Sequence, residues 1–183
     1  ALTTAKIGSV VAQGTVADRN VTVRNIEVFS VSVTDRTNWI IVSLTGSNGI
    51  KGLGEASLGR RAELNELNQF YKLAEGESAF DIQQYRERGW QYASSGDRIL
   101  ATAFSAIEQA LWDLVAQSLE VPFYDLVGGR LHSTLPVYAN INRATSDRRP
   151  EGFADNAERA VSDGFKSIKA APFDGFPALN SPT

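Results

Sequence analysis

Residues 97–129 read DRILATAFSAIEQALWDLVAQSLEVPFYDLVGG, and the apolar spacing within them decides how the rest of the chain is arranged. Leu100, Ala103, Phe104, Ile107, Leu111, Leu114 and Val115 recur every three or four positions. That period builds a broad stripe along one side of a helix ending near Gln117. Asp97 stands where an N-cap accepts the first free N–H groups of such a helix. After it, 121–127 predicts a short helical turn stopped by Gly128-Gly129. A helix this apolar on one side needs a covering layer, so Trp112 and the Leu/Ile stripe are assigned to a core.

Toward the N-terminus the period changes to two. Residues 21–33 (VTVRNIEVFSVSV) alternate β-branched or aromatic residues with polar ones, and 39–45 (WIIVSLT) is a second β-rich run. The polar loop 34–38 joins them, Gly46-Ser47-Asn48-Gly49 supplies a further turn, and 50–56 (IKGLGEA) predicts a third strand. The result is an antiparallel three-stranded meander. Leu64, Leu67, Phe70, Tyr71 and Ala74 then mark one helix, and 80–90 a second with Ile82, Tyr85 and Trp90 on one face.

Toward the C-terminus, 135–141 (LPVYANI) predicts a strand, 151–163 a helix with Phe153, Ala157, Ala160 and Val161 inside, and 167–171 (SIKAA) another strand. A strand, a crossover of this length and a strand form a βαβ unit with parallel strands. Two parallel strands and one helix can neither cover both faces of a sheet nor close a barrel, so more chain is expected after the breaker-rich 173–183.

Composition narrows the function classes. The 183 residues are 43% hydrophobic and 21% charged, which suits a folded domain rather than a disordered chain. Eighteen Lys and Arg against 21 Asp and Glu leave a net charge of −3, with no basic footprint for nucleic acid or an anionic membrane. Without cysteine there is no disulfide framework, thiol nucleophile or cysteine zinc site, and the single His allows no histidine metal cluster. No run of about 18 apolar residues offers a membrane span, and a cytoplasmic protein is expected. The chain starts at Ala1 and contains no Met, so a trimmed or excerpted polypeptide is expected.

Three segments together resemble the enolase superfamily, in its mandelate racemase and muconate lactonizing enzyme branch. Ala106-Ile107-Glu108-Gln109-Ala110-Leu111-Trp112-Asp113-Leu114, continuing through Pro122-Phe123-Tyr124-Asp125-Leu126-Val127-Gly128-Gly129 to Val137-Tyr138-Ala139, is similar to that family's signature helix and its entry into the first barrel strand. Gly52-Leu53-Gly54-Glu55-Ala56 resembles the end of its third capping strand, and Gly164-Phe165-Lys166-Ser167-Ile168-Lys169-Ala170-Ala171 its second barrel strand. The resemblance implies an α+β capping domain (three-stranded antiparallel meander plus helices) followed by the first βαβ of an incomplete (β/α)7β TIM-like barrel. Its expected division is an arm at 1–21, a cap at 22–132 and the start of the barrel at 133–183.

The implied chemistry is abstraction of a proton α to a carboxylate, with Mg2+ stabilising the enediolate and a Lys or His as base. Mg2+ belongs to the complete enzyme and none is expected to bind this chain alone, because the resemblance puts the metal ligands on later barrel strands. The chain alone is expected to be inactive. Lys169 matches the first lysine of the family's K-x-K and is the catalytic candidate, pairing with the substrate carboxylate or moving a proton. The second lysine is replaced by Ala171, and Lys166, three residues before Lys169, falls on the opposite strand face. That departure points to a base from a later strand, as in histidine-based acid-sugar dehydratases. Arg36 and Asn38 in the first loop, and Arg60 and Arg61 in the second, match the loops that close over substrate, where arginine suits carboxylate and hydroxyl groups; solvated loop charge is the competing account. Glu55 and Glu108 are assigned structural roles and His132 a connector. The partners implied are a small carboxylate substrate, such as an acid sugar, and further copies of the chain in a homo-oligomer. A racemase or cycloisomerase of the same branch, and a non-catalytic binding module that kept the capping fold, are the alternatives.

Overall fold

The protein is described by a computed structural model over residues 19–34, 37–57, 64–142 and 144–172. In chain order these form β1 (Val23–Thr34), β2 (Thr37–Gly46), β3 (Lys51–Glu55), α1 (Leu64–Tyr71), α2 (Ile82–Ala93), α3 (Arg98–Ser118), α4 (Phe123–Leu126), β4 (Ala139–Asn140), α5 (Pro150–Ser162) and β5 (Ile168–Lys169). The chain divides into two units, Ala1–Arg130 and Leu131–Thr183.

In the first unit β1, β2 and β3 form an antiparallel meander in that order. Val28 pairs with Val42 and Ile26 with Leu44, while Leu44 and Val42 pair on their other side with Gly52 and Gly54. One face of the sheet therefore carries Ile40, Val42 and Leu44, all fully buried, and the other carries Phe29, Val31, Trp39 and Leu53, each about half exposed. The alternation read from sequence corresponds to these two faces. One expectation is corrected: the loop at 34–38 is shorter, because pairing reaches Thr34 and Thr37, and Asn38 lies in β2 opposite Ser32. β-branched Thr favours continuing the pleat.

Asp97 caps α3 as expected, accepting the Ile99 N–H at 2.7 Å. The apolar stripe of α3 meets the sheet, α1 and α2, and nine of its residues from Ala103 to Ala116 are buried. By length and composition alone this helix could cross a membrane, but half of its apolar window is buried inside the unit as a core helix. Phe104 is the hub of the aromatic packing, edge-on to Phe70 at 5.5 Å and stacked on Tyr85 at 4.9 Å. The Tyr85 hydroxyl donates to the Phe104 carbonyl at 2.9 Å. Burial, with a smaller contribution from Glu108, pushes the Tyr85 phenol well above its ordinary value, so it stays a neutral donor.

The contact of α3 with β3 has no room for side chains on the strand. A Cβ at Gly54 would lie 2.0 Å from the Ala106 carbonyl oxygen, and one at Gly52 would lie 2.1 Å from that of Ala110. The same helix also satisfies the edge of the sheet. The Leu53 N–H donates to Asp113 Oδ2 at 2.8 Å and the Glu55 N–H to Gln109 Oε1 at 3.2 Å. Edge groups that would otherwise template another strand are thereby covered.

The second unit is a parallel pair, β4 and β5, connected through α5. Pro150 opens α5 at its first turn, where a missing N–H costs nothing. Ile141, Phe153 and Ala160 are buried together, with Ala139, Ala157 and Phe165 packed around them. Three expectations are corrected here. The strands expected at 135–141 and 167–171 are reduced to Ala139–Asn140 and Ile168–Lys169. Pro136 has no N–H for a ladder, and Leu135 and Val137 are 74% and 70% exposed. Val161, expected inside, is 65% exposed, because Phe153 and Ala160 already fill the helix side that meets the pair.

Two predictions follow from the α3–β3 contact. Gly54→Ala is expected to lower stability by about 3 kcal/mol, the upper end of ordinary overpacking, because the new methyl meets backbone. Gly49→Ala, with open space but φ +80°, should cost only about 1–2 kcal/mol; urea midpoints that rank the two variants the other way would contradict the packing account. Asp113→Ala should cost about 1–3 kcal/mol by orphaning the Leu53 N–H, and Asp113→Asn, which keeps an acceptor, should cost clearly less in the same titration.

Candidate functional site

Chemistry-bearing residues of the second unit gather where β4 and β5 end. Ala139 and Ile141 pack toward α5, so by the two-residue period Tyr138 and Asn140 belong to the other face of the pair. Lys169 is the register partner of Asn140 and shares that face. Its ammonium lies over the Tyr138 ring, 5.9 Å from the centroid, and its side chain is exposed. Among the described residues no carboxylate is paired with it, and a cation there can meet an anionic or hydroxylated ligand.

Beyond the last backbone bond of the pair, Asn142 Oδ1 accepts the Ala171 N–H at 3.2 Å. Arg148 reaches the same place from the segment before α5, donating to Asn142 Oδ1 at 3.2 Å and to the Ala171 carbonyl at 3.1 Å. Neither residue was singled out by sequence reasoning. The alternation running from Asn140 to Asn142 was the available signal for one; for Arg148, in a run of charged residues, there was none. Nearby, hydrogen bonds from the Arg149 side chain and its backbone N–H hold the Asp147 carboxyl down to about 2, the side-chain bond contributing most.

Lys166, read from sequence as lying on the opposite strand face, instead precedes β5, because the strand begins only at Ile168. With Pro136, Val137, Asp163 and Phe165 it lines an open cavity of about 320 Å³ formed by residues that precede β4 and β5. That cavity is at the N-terminal ends of the strands, opposite the end to which Lys169 and Asn142 lead.

In the first unit Asn38 is a half-buried β2 residue. Arg36, Arg60 and Arg61 lie outside the described residues. Thr34 and Thr37 pair at the tip of the β1–β2 hairpin, and Glu55 runs beside Ile41. The Ala56 N–H donates to the Ile40 carbonyl at 2.8 Å and Ser57 Oγ accepts the Ile40 N–H at 3.0 Å. The C-terminal end of β3, with Ala56 and Ser57, thus lies at the hairpin-tip end of the sheet. Glu108 faces Arg86 at 3.8 Å. Both His132 and the Glu55 side chain are exposed. Among the described residues no three His, Cys, Asp or Glu side chains come together as a metal site. The side chains described therefore do not fit a Mg2+ centre, which needs convergent oxygen ligands.

Comparison with known proteins identifies the family. Residues 12–128 match the family described as mandelate racemase / muconate lactonizing enzyme, N-terminal domain. The D-gluconate dehydratase of Thermoproteus tenax is 45% identical over 83 residues, 45% of this chain and 16% of that protein. The D-gluconate/D-galactonate dehydratase of Picrophilus torridus is 30% identical over 141 residues, 73% of this chain and 35% of that protein. The chain thus spans about a third or less of the length of these relatives. A solved mandelate racemase/muconate lactonizing enzyme from Sulfitobacter sp. superposes with a TM-score of 0.70 at 25% identity, covering 84% of this chain and 43% of that one. A matched stretch that includes the whole meander and α1 to α3, with the same fold in a solved member, places the chain in the mandelate racemase / muconate lactonizing enzyme family of the enolase superfamily, to which it belongs through its N-terminal domain.

Proposed function

We propose that this chain is the N-terminal portion of an acid-sugar dehydratase, with a cap at 22–132 and the first strands of a catalytic barrel in 133–183. The dehydratase reading is supported by relatives named for D-gluconate and D-galactonate. In the proposed reaction the proton α to the carboxylate is removed and the hydroxyl on the next carbon leaves as water. The observation that carries the chain's own part is Lys169, exposed on the face of β5 turned away from α5.

Lys169 is proposed to pair with the substrate carboxylate. As the α-proton leaves, charge grows on that carboxylate, so an ammonium beside it binds the transition state more tightly than the ground state. Ala171 supplies no base, and the base is proposed to come from outside this chain. Arg36, Asn38, Arg60 and Arg61 are proposed to bind the sugar hydroxyls. The complete reaction calls for Mg2+; the described residues do not hold it, and no step through it is assigned to them.

In the full-length protein with Mg2+, D-gluconate or D-galactonate should yield the 2-keto-3-deoxy acid, and Lys169→Ala should lower kcat about 100-fold or more, in line with removal of one transition-state donor. Unchanged turnover in the variant would remove Lys169 from the site. The 183-residue chain by itself should exchange no α-proton of gluconate with D2O; Mg2+-dependent exchange seen by proton NMR would refute this division of labour.

A further inference from the structure

The parallel ladder of β4 and β5 is short. The Ala139 N–H donates to the Ser167 carbonyl at 2.9 Å and the Ile141 N–H to the Lys169 carbonyl at 3.1 Å. Among the described residues no further backbone bond joins the two segments past this point, and side chains take over. Asn142 Oδ1 takes the Ala171 N–H as a strand carbonyl would, and Arg148 bonds the Ala171 carbonyl, Asn142 Oδ1 and the Asn142 carbonyl. The guanidinium also lies 4.7 Å from the ring centroid of Phe153, a buried residue of α5. One side chain thus ties together the segments that follow β4 and β5 and the helix between the strands.

We propose that Arg148 is a positioning residue for the dehydration proposed above, acting through the strand that carries Lys169; this inference rests on that functional reading. Lys169 is held on one side by the bond from Ile141 and on the other, two residues on, by the Asn142–Arg148 splice at Ala171. The Lys169 side chain is exposed, so its ammonium is placed by the backbone it springs from together with the Tyr138 ring beneath it. Arg148 itself is not a substrate ligand: its Nη groups point at protein acceptors and one face is covered by Phe153. The role requires a guanidinium, since a planar fork can serve several acceptors at once and an ammonium offers no such geometry.

The test is a double-mutant cycle in the full-length protein, with Mg2+ and D-gluconate or D-galactonate. Arg148→Ala should lower kcat at least tenfold when Lys169 is present and less than threefold in the Lys169→Ala background, since a residue acting through Lys169 has nothing left to position. Equal losses in both backgrounds, or none in either, would overturn the proposal. Amide hydrogen exchange supplies a measure that needs no substrate: the Ala171 N–H should exchange at least tenfold faster in Arg148→Ala while the Ile141 N–H stays protected, and unchanged protection at Ala171 would also overturn it. If the wild-type protein dehydrates no sugar acid, the functional reading fails, and exchange at Ala171 then decides the splice separately.

Discussion

The approach of α3 to β3 is the constraint on which the first unit depends. Gly52 and Gly54 leave no atoms between the strand and the Ala106 and Ala110 carbonyls of the helix. At that distance Gln109 and Asp113, facing the strand edge from the same helix, reach the N–H groups of Glu55 and Leu53. Close packing and edge satisfaction are therefore one feature. Larger residues on the strand would lift the helix and break both hydrogen bonds together. Once α3 is seated, Phe104 is in place to receive Phe70 from α1 and Tyr85 from α2, and the remaining helices close the core around it.

The helices cover one face of the sheet, and Thr34, Thr37 and Glu55 lie toward one end of it. The second unit is built from less material. Its two-residue strands are too short to hold a register by backbone alone, and Asn142 with Arg148 lengthen the pairing through side chains.

Much of this was legible in the chain itself. The meander followed from period-two alternation, α3 from its stripe and Asp97 cap, and the βα switch from the change of pattern near residue 135. Strand ends were less legible. Thr34, Thr37 and Asn38 read as a polar loop, yet backbone pairing is indifferent to side-chain polarity and extends through them. In 135–141 the β-branched and aromatic residues promised a strand, but a strand exists only where another backbone meets it, and only Ala139 and Asn140 have that partner. Lys169 was visible through its place in a motif; Asn142 and Arg148 stand in no motif, and their role lies in contacts with Ala171 made across 23 to 29 residues of sequence.

Sequence by itself determined the order and type of the elements, the family motifs and the face of β5 on which Lys169 stands, because periodicity and capping are local properties of a chain. Tertiary structure alone decided why Gly52 and Gly54 must be glycine, how the sheet edge is satisfied and what holds the strand beneath Lys169. Each of those depends on distances between segments far apart in the chain, and such distances exist only once the segments have packed.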